Sequence, residues 1–568
     1  MKTRSHLAVP SETFPVERPL KGFRDVIPSP DPRPCRKPIS PFASCFFACA
    51  SIAMYANPVL AQQVPTEPSN AATSLSDALH LYRAGKFAAA EEEYQKLETG
   101  LAAAQAYVGL SQVYLKEKKP DEAYAAAAKA VELAPNAPDT QVAMGEMYFR
   151  QGKIADAENA FVKVINSGAG NARAFFGLAK VSDAASLYHR AKTMIDIAHA
   201  HDPSDPDITR MWMTTLPRED RLKALASYLA DETNDDFETR TSMERALRFL
   251  QQESSAPHHS CHITSRVTST ETDLRYMLID PNHFHGFGLD VKVNGASSRL
   301  LLDTGAGGIL INRKFAEKAG LQQAFQTEVR GLGDRGPTRG YVAFADSIQV
   351  GGLEFKDCRV EVVERNSAAG EEGLIGADVF EDFLVDLDFS NGKLRLSQLP
   401  VRPGESPSGG LTLDPKVYGV PRYYDRYIAP EMKSYSIVFR FGHALLLPTT
   451  LNDSVPKLFM IDSGSFTSTI SPSAAREVTK VSGDQDTKIV GLNGEVKKVY
   501  ESKELTLTFG HLRQKYEDMV TFDTKGISDA IGTEISGMLG FTVLRMLDVK
   551  VDYRDGLVDF NFDPKRWQ

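Results

Sequence analysis

Leu300-Leu301-Leu302-Asp303-Thr304-Gly305-Ala306 is the most telling stretch of the chain, because it is written twice. The second copy is Leu458-Phe459-Met460-Ile461-Asp462-Ser463-Gly464-Ser465, and the two aspartates stand 159 residues apart. Other landmarks repeat at nearly that interval. Gly331-Leu332-Gly333 recurs as Gly491-Leu492-Asn493, and Leu374-Ile375-Gly376 recurs as Met538-Leu539-Gly540. Val385-Asp386-Leu387-Asp388 with Asn391-Gly392 recurs as Val549-Lys550-Val551-Asp552 with Asp555-Gly556. Before the first copy, Phe287, Leu289, Val291 and Val293 alternate and lead into an Asn294-Gly295 hairpin turn, a strand signature. The chain therefore holds an internal duplication of an all-β unit. The copies are expected at 263–400 and 434–568, joined by a Pro-, Gly- and Tyr-rich linker at 401–433.

Upstream the period is different. Tyr82, Tyr114 and Tyr148 are spaced by 32 and 34 residues, and Ala90, Ala123, Ala157 and Ala191 by 33, 34 and 34. Each unit reads as two amphipathic helices around a short turn, as at Gly152-Lys153. A repeat of this length stacks helix pairs into a solenoid, with small residues allowing close approach and aromatics filling the seams. This pattern resembles tetratricopeptide repeats over about 73–204, with a helical cap and linker at 205–262. Such arrays offer a concave face to a polypeptide, so a protein partner or recruited substrate is one expectation. A plain spacer arm is the other, since fold alone does not give function.

Each β copy resembles one lobe of a retropepsin-like or pepsin-like aspartic peptidase. Two apolar residues, Asp-Thr/Ser-Gly, a Gly-rich hairpin and apolar-apolar-Gly before a short helix follow in that order, twice. The fold class implied is multidomain: an all-α tetratricopeptide-type solenoid followed by an all-β two-lobe aspartic-peptidase fold. The resemblance implies that Asp303 and Asp462 form a catalytic pair sharing one proton, because two carboxylates in contact cannot both ionise. Thr304 and Ser463 would hydrogen-bond to the opposing turn. Gly305 and Gly464 would suit tight turns that a Cβ would spoil, and Gly376 and Gly540 would let the backbone pass beneath each loop. Ser465 would donate its hydroxyl to the outer oxygen of Asp462, which Ala306 cannot do for Asp303. Asp303 is therefore expected to hold the shared proton more often, with Asp462 as the base. Gly331, Leu332, Gly333, Gly491, Leu492 and Asn493 would belong to flaps over a substrate cleft. Tyr341 does not align clearly with the flap tyrosine of pepsin-like enzymes.

Competing chemistries lack a starting point. Gly331–Gly336 formally matches a dinucleotide fingerprint, but Pro337 follows where that motif must open a helix. His258, His259, Cys261, His262, His283 and His285 fit no standard metal spacing. No metal and no cofactor enters the reading. Lys plus Arg is 65 against 74 Asp plus Glu, a net charge of −9, which argues against a nucleic-acid partner. Residues 1–61 read as a leader plus signal peptide. Arg36 and Lys37 precede an apolar run from Phe42 to Ala56, and Val59-Leu60-Ala61 offers a cleavage site. Residues 62–72 read as a tether. The expectation is a periplasmic or secreted protein without a stable membrane span after cleavage, retaining Cys261 and Cys358, enough for one disulfide. Two functions stay open: an aspartic endopeptidase acting on polypeptide, or a non-catalytic protein-interaction or peptide-binding module with a degenerate peptidase fold. They differ in one observable, whether the two carboxylates come within hydrogen-bond reach.

Overall fold

The computed structural model describes residues 6–8, 68–168, 170–231, 235–255, 261–280, 283–364, 372–400, 402, 426–484 and 487–566. The expected signal and its cleavage site, residues His258 and His259, and most of the 401–433 linker lie outside these residues. No helix among the described residues is long and apolar enough to cross a membrane.

Four helix pairs open the fold: Pro68–Arg83 with Phe87–Gln95, Ala103–Lys116 with Pro120–Leu133, Pro138–Arg150 with Ile154–Asn166, and Ala172–Ala184 with Tyr188–His201. Their spacing follows from the buried alanines 90, 123, 157 and 191. Phe161 lies between Gly145 and Gly177, where an added Cβ would approach its ring to 2.6 and 2.3 Å. Each pair turns at a left-handed residue, successively Gly85, Lys118, Gly152 and Ser186. Helices Pro206–Thr214, Arg218–Ala230 and Phe237–Ser255 continue the array.

The array closes on itself. Asp207 accepts from Tyr82 Oη and Arg173 Nη2, both at 3.2 Å, and also pairs with Lys116 and Arg210. Arg173 further binds Asp205 at 2.8 Å and Glu146 at 3.2 Å. Helices from the first pair to Pro206–Thr214 thus meet in one half-buried ion network. The backbone joins the ends as well, with Asp235 N–H donating to Arg83 O at 3.2 Å. The inner face is therefore occupied by residues of the chain itself.

The β region forms two lobes around a shared sheet. In the first lobe, strand Ala296–Asp303 pairs in parallel with Gly373–Gly376, placing Gly376 opposite Asp303. In the second, Lys457–Ile461 pairs in parallel with Gly537–Leu539, placing Leu539 opposite Ile461. The lobes are joined where Phe383–Asp388 runs antiparallel to Leu547–Asp552, with Val385 opposite Val551. Buried Val, Leu, Ile and Phe side chains from both lobes make one continuous core. A disulfide links Cys261 to Cys358 in the first lobe. A separate three-residue strand, His6–Ala8, lies antiparallel against Leu512–Phe522 of the second lobe.

The helical array rests on the second lobe. Phe149, Ile154, Val181 and Leu187 share an apolar cluster with Phe439, Leu446, Leu458 and Met538. Thr533 Oγ1 donates to Phe149 O at 2.7 Å, Glu534 N–H to Arg150 O at 2.8 Å, and Arg150 pairs with Asp529.

Candidate active site

Asp303 and Asp462 sit at the C-terminal ends of equivalent strands, where the chain leaves the sheet in a turn. Two hydroxyls bind the turns together. Thr304 Oγ1 donates to Ile461 O at 2.9 Å and accepts from Ser463 N–H at 2.9 Å. Ser463 Oγ donates to Leu302 O at 2.8 Å and accepts from Thr304 N–H at 3.1 Å. Thr304 and Ser463 are each 1% exposed, so all four bonds are shielded from water. The expected exchange across the lobes is what the structure shows.

This exchange brings the carboxyls together, close enough that each acts on the titration of the other. Gly305 N–H donates to Asp303 Oδ1 at 2.9 Å, and Gly464 N–H to Asp462 Oδ1 at 3.0 Å. The clash that a Cβ would make at these two glycines is with the opposing lobe. Neither has a positive φ. A Cβ on Gly305 would lie 2.7 Å from Asp462 Cγ, and one on Gly464 would lie 2.4 Å from Asp303 Cγ. Each glycine leaves room for the opposing carboxylate. Gly376 and Gly540 run beneath the loops as expected, since added Cβ atoms would lie 2.5 Å from Ala306 O and 2.4 Å from Thr467 O.

The Ser465 hydroxyl does not make the bond expected of it. Ser465 Oγ donates to Thr467 O at 3.1 Å, and only the Ser465 backbone N–H reaches Asp462 Oδ1, also at 3.1 Å. Burial raises both carboxyls. Asp462 is pushed well up, by burial and then by the negative charge of Asp303. Asp303 is raised by burial, against which work the Gly305 N–H, the neighbouring Asp462 and the charge of His443. The two carboxyls share one titration, so the proton belongs to the pair.

The six flap candidates meet one another across the lobes. Asn493 N–H donates to Leu332 O at 2.8 Å, and Arg335 N–H donates to Asn493 O at 2.9 Å. Asn493 Nδ2 donates to Gly336 O at 2.5 Å and to Thr338 Oγ1 at 3.1 Å. The contact is close because Gly331 and Gly491 lack side chains: added Cβ atoms would meet Leu492 Cβ at 2.8 Å and Leu332 O at 2.4 Å. Leu492 of the second lobe rests on Leu310, Val329 and Val363 of the first. Leu332 of the first rests on the cluster shared by the second lobe and the array. Tyr341 lies in strand Thr338–Ala345, opposite Gln326, outside these loop tips.

Two residues escape a reading of motifs. Asp378, two residues beyond Gly376, accepts from Gly308 N–H at 2.9 Å and so fixes the far end of the first loop. Its counterpart in the second lobe is Thr542, and there Ser468 Oγ accepts from Gly540 N–H instead, at 3.0 Å. His443 comes from the second lobe to the first loop. Its placement has no sequence signal beyond the Gly442-His443 hairpin turn. Of the histidine–cysteine cluster, Cys261 is bonded to Cys358, and no group of His, Cys, Asp or Glu among the described residues is arranged to hold a metal.

Residues 289–379 and 447–543 match the family described as aspartyl protease, and residues 114–178 match the tetratricopeptide repeat family. Each aspartyl-protease match contains one of the two aspartates. The comparison with curated proteins gives no match. The chain thus joins a tetratricopeptide repeat array to tandem aspartic-peptidase-like lobes.

Proposed function

We propose that this protein is an exported aspartic endopeptidase. One observation carries the reading: two Asp-Thr/Ser-Gly turns bound face to face with their carboxyls in contact. A pair of that kind holds one proton and one negative charge, which are the base and the acid that peptide hydrolysis needs. Ionised Asp303 takes a proton from water as its oxygen adds to the peptide carbonyl carbon. Protonated Asp462 hydrogen-bonds the carbonyl oxygen and delivers its proton as the tetrahedral diol forms. The proton held by Asp303 then passes to the leaving nitrogen as the C–N bond breaks, and a diol hydroxyl returns its proton to Asp462 as the new carboxyl forms. The bonded loops around Leu332 and Leu492 are flaps that must part to admit an extended polypeptide.

Digestion of a peptide library by the full chain tests this. Cleavage should be blocked by a transition-state inhibitor of aspartic peptidases. Asp303→Asn and Asp462→Asn should each lower kcat by about 10³-fold or more while the fold persists. Undiminished cleavage in either variant excludes the pair as the catalytic machinery.

Export is supported by the charged-then-apolar segment ending in Val59-Leu60-Ala61. It is also supported by the Cys261–Cys358 bond, since disulfides persist in oxidising compartments. Cleavage after Ala61 would also remove the His6–Ala8 edge strand. N-terminal mass spectrometry of exported protein decides, and an intact Met1 excludes processing. The repeats would serve to recruit protein, but a partner reaches their inner face only by displacing Asp207 and its helix.

A further inference from the structure

The turn Gly442-His443 joins strands Phe439–Phe441 and Ala444–Leu451 of the second lobe, yet its imidazole lies on the first active-site loop. A Cβ built on Gly307 would stand 2.8 Å from His443 Nδ1 and 2.9 Å from Cγ. Any side chain at position 307 would therefore displace the ring. The second loop carries Phe466 at the matching place, four residues after its aspartate, and Phe466 is half exposed. The hairpin is held from behind. The Phe441 ring rests on Phe149 of the array at 5.9 Å, and Arg440 donates to Gly442 O at 2.8 Å and bonds Glu381 of the first lobe. The turn is thus anchored to the array and to both lobes.

The charged groups around the ring are unevenly distributed. Asp303 and Asp378 of the first lobe feel the His443 charge, and Arg440 and Glu381 flank them. Strand register gives the first lobe a matching position. Gly288 lies opposite Leu301 as Leu446 lies opposite Met460, so the counterpart of His443 is His285. Its neighbour Gly286 would bring a Cβ to 3.8 Å from Ser463 O, so this hairpin too reaches the opposite loop.

We propose that His443 is a positioning residue, delivered across the lobe interface onto Gly307, where it biases which carboxyl of the pair holds the shared proton. This rests on the peptidase reading for its consequence in catalysis, though not for the contact itself. An imidazole in water is cationic in the acid range where aspartate pairs work. A nearby cation favours the carboxylate form. Removing it makes Asp303 easier to protonate, so the acidic limb of the kcat/KM profile moves to higher pH.

The test compares the full chain with His443→Gln, His443→Arg and His285→Gln. Each is read by pH–rate profiles on a fluorogenic peptide and by carbon-13 titration of the aspartate carboxyls. His443→Gln should raise the acidic limb and the matching carboxyl titration by about 0.5–1 pH unit. His443→Arg, which keeps the cation, should restore both. An unmoved profile in folded His443→Gln overturns the proposal. So does an equal shift from His285→Gln, because the bias would then not come from His443. If the unaltered chain cleaves no peptide, the peptidase reading fails on its own, and the carboxyl titration still decides the role of His443.

Discussion

The two lobes repeat one design and differ in how each aspartate loop is held. The first loop, Asp303 to Gly308, is fixed by a carboxylate, Asp378, and by an imidazole from the other lobe. The second, Asp462 to Thr467, is fixed by its own hydroxyls and N–H groups, with Ser468 beneath. The array rests on the second lobe, while the disulfide closes the first. A duplicated fold can thus keep its hydrogen-bond symmetry at the centre and lose it one shell outward. That loss gives two chemically identical aspartates different surroundings, and a shared proton follows small differences in surrounding charge.

The comparison can be broken most strongly at the array. Phe149 is 7% exposed and packs on Phe441. Phe149→Ala should cost about 3–5 kcal/mol, the usual loss for a buried phenylalanine. Hydrogen exchange should quicken in helix Pro138–Arg150 and strand Phe439–Phe441 before it does in the first lobe. If strand Ala296–Asp303 is freed equally early, the array braces both lobes alike.

A smaller effect tests the central symmetry. Ser463→Ala removes one hydroxyl and leaves Thr304 N–H without its partner, and Thr304→Val does the reverse. Each should cost about 1–3 kcal/mol in urea unfolding, the penalty for stranding a buried polar group. Similar costs sharpen the picture of a symmetric centre. A cost near zero in one variant alone would place the asymmetry at the exchange itself.

The smallest effect concerns pH, and both lobes contribute to it. In the shared sheet Asp386 is raised to about 7 by burial and by Asp548, against the pull of Lys550 and Arg395. Asp552 is raised to about 7 by burial and by Asp555. An aspartate in an unfolded chain titrates near about 4. Between these values the folded protein binds more protons than the unfolded one, so these groups make stability fall as pH rises from about 4 to 7. The urea midpoint should be higher at pH 5 than at pH 7. Asp386→Asn with Asp552→Asn should flatten that slope, and an unchanged slope would remove these carboxylates from the account.

Local pattern made much of this molecule legible from its residues. The 34-residue rhythm of small and aromatic positions foretold the helix pairs, because stacking helices need small residues at fixed intervals. The twice-written Asp-Thr/Ser-Gly foretold two equivalent turns and the exchange between Thr304 and Ser463. What lay outside the pattern depended on contacts between distant segments. At Gly305 and Gly464 a Cβ would clash, but that the clash is with the opposing carboxylate is decided only when the lobes meet. Asp207 reaches back 125 residues to Tyr82 and fills a face that the repeat alone would leave open. His443 reads as an ordinary turn residue until the lobes meet. Periodicity and turn chemistry are local and visible in one strand of text. The partner of a proton, a hydroxyl or an imidazole is set only when folding brings separate segments within a few ångströms.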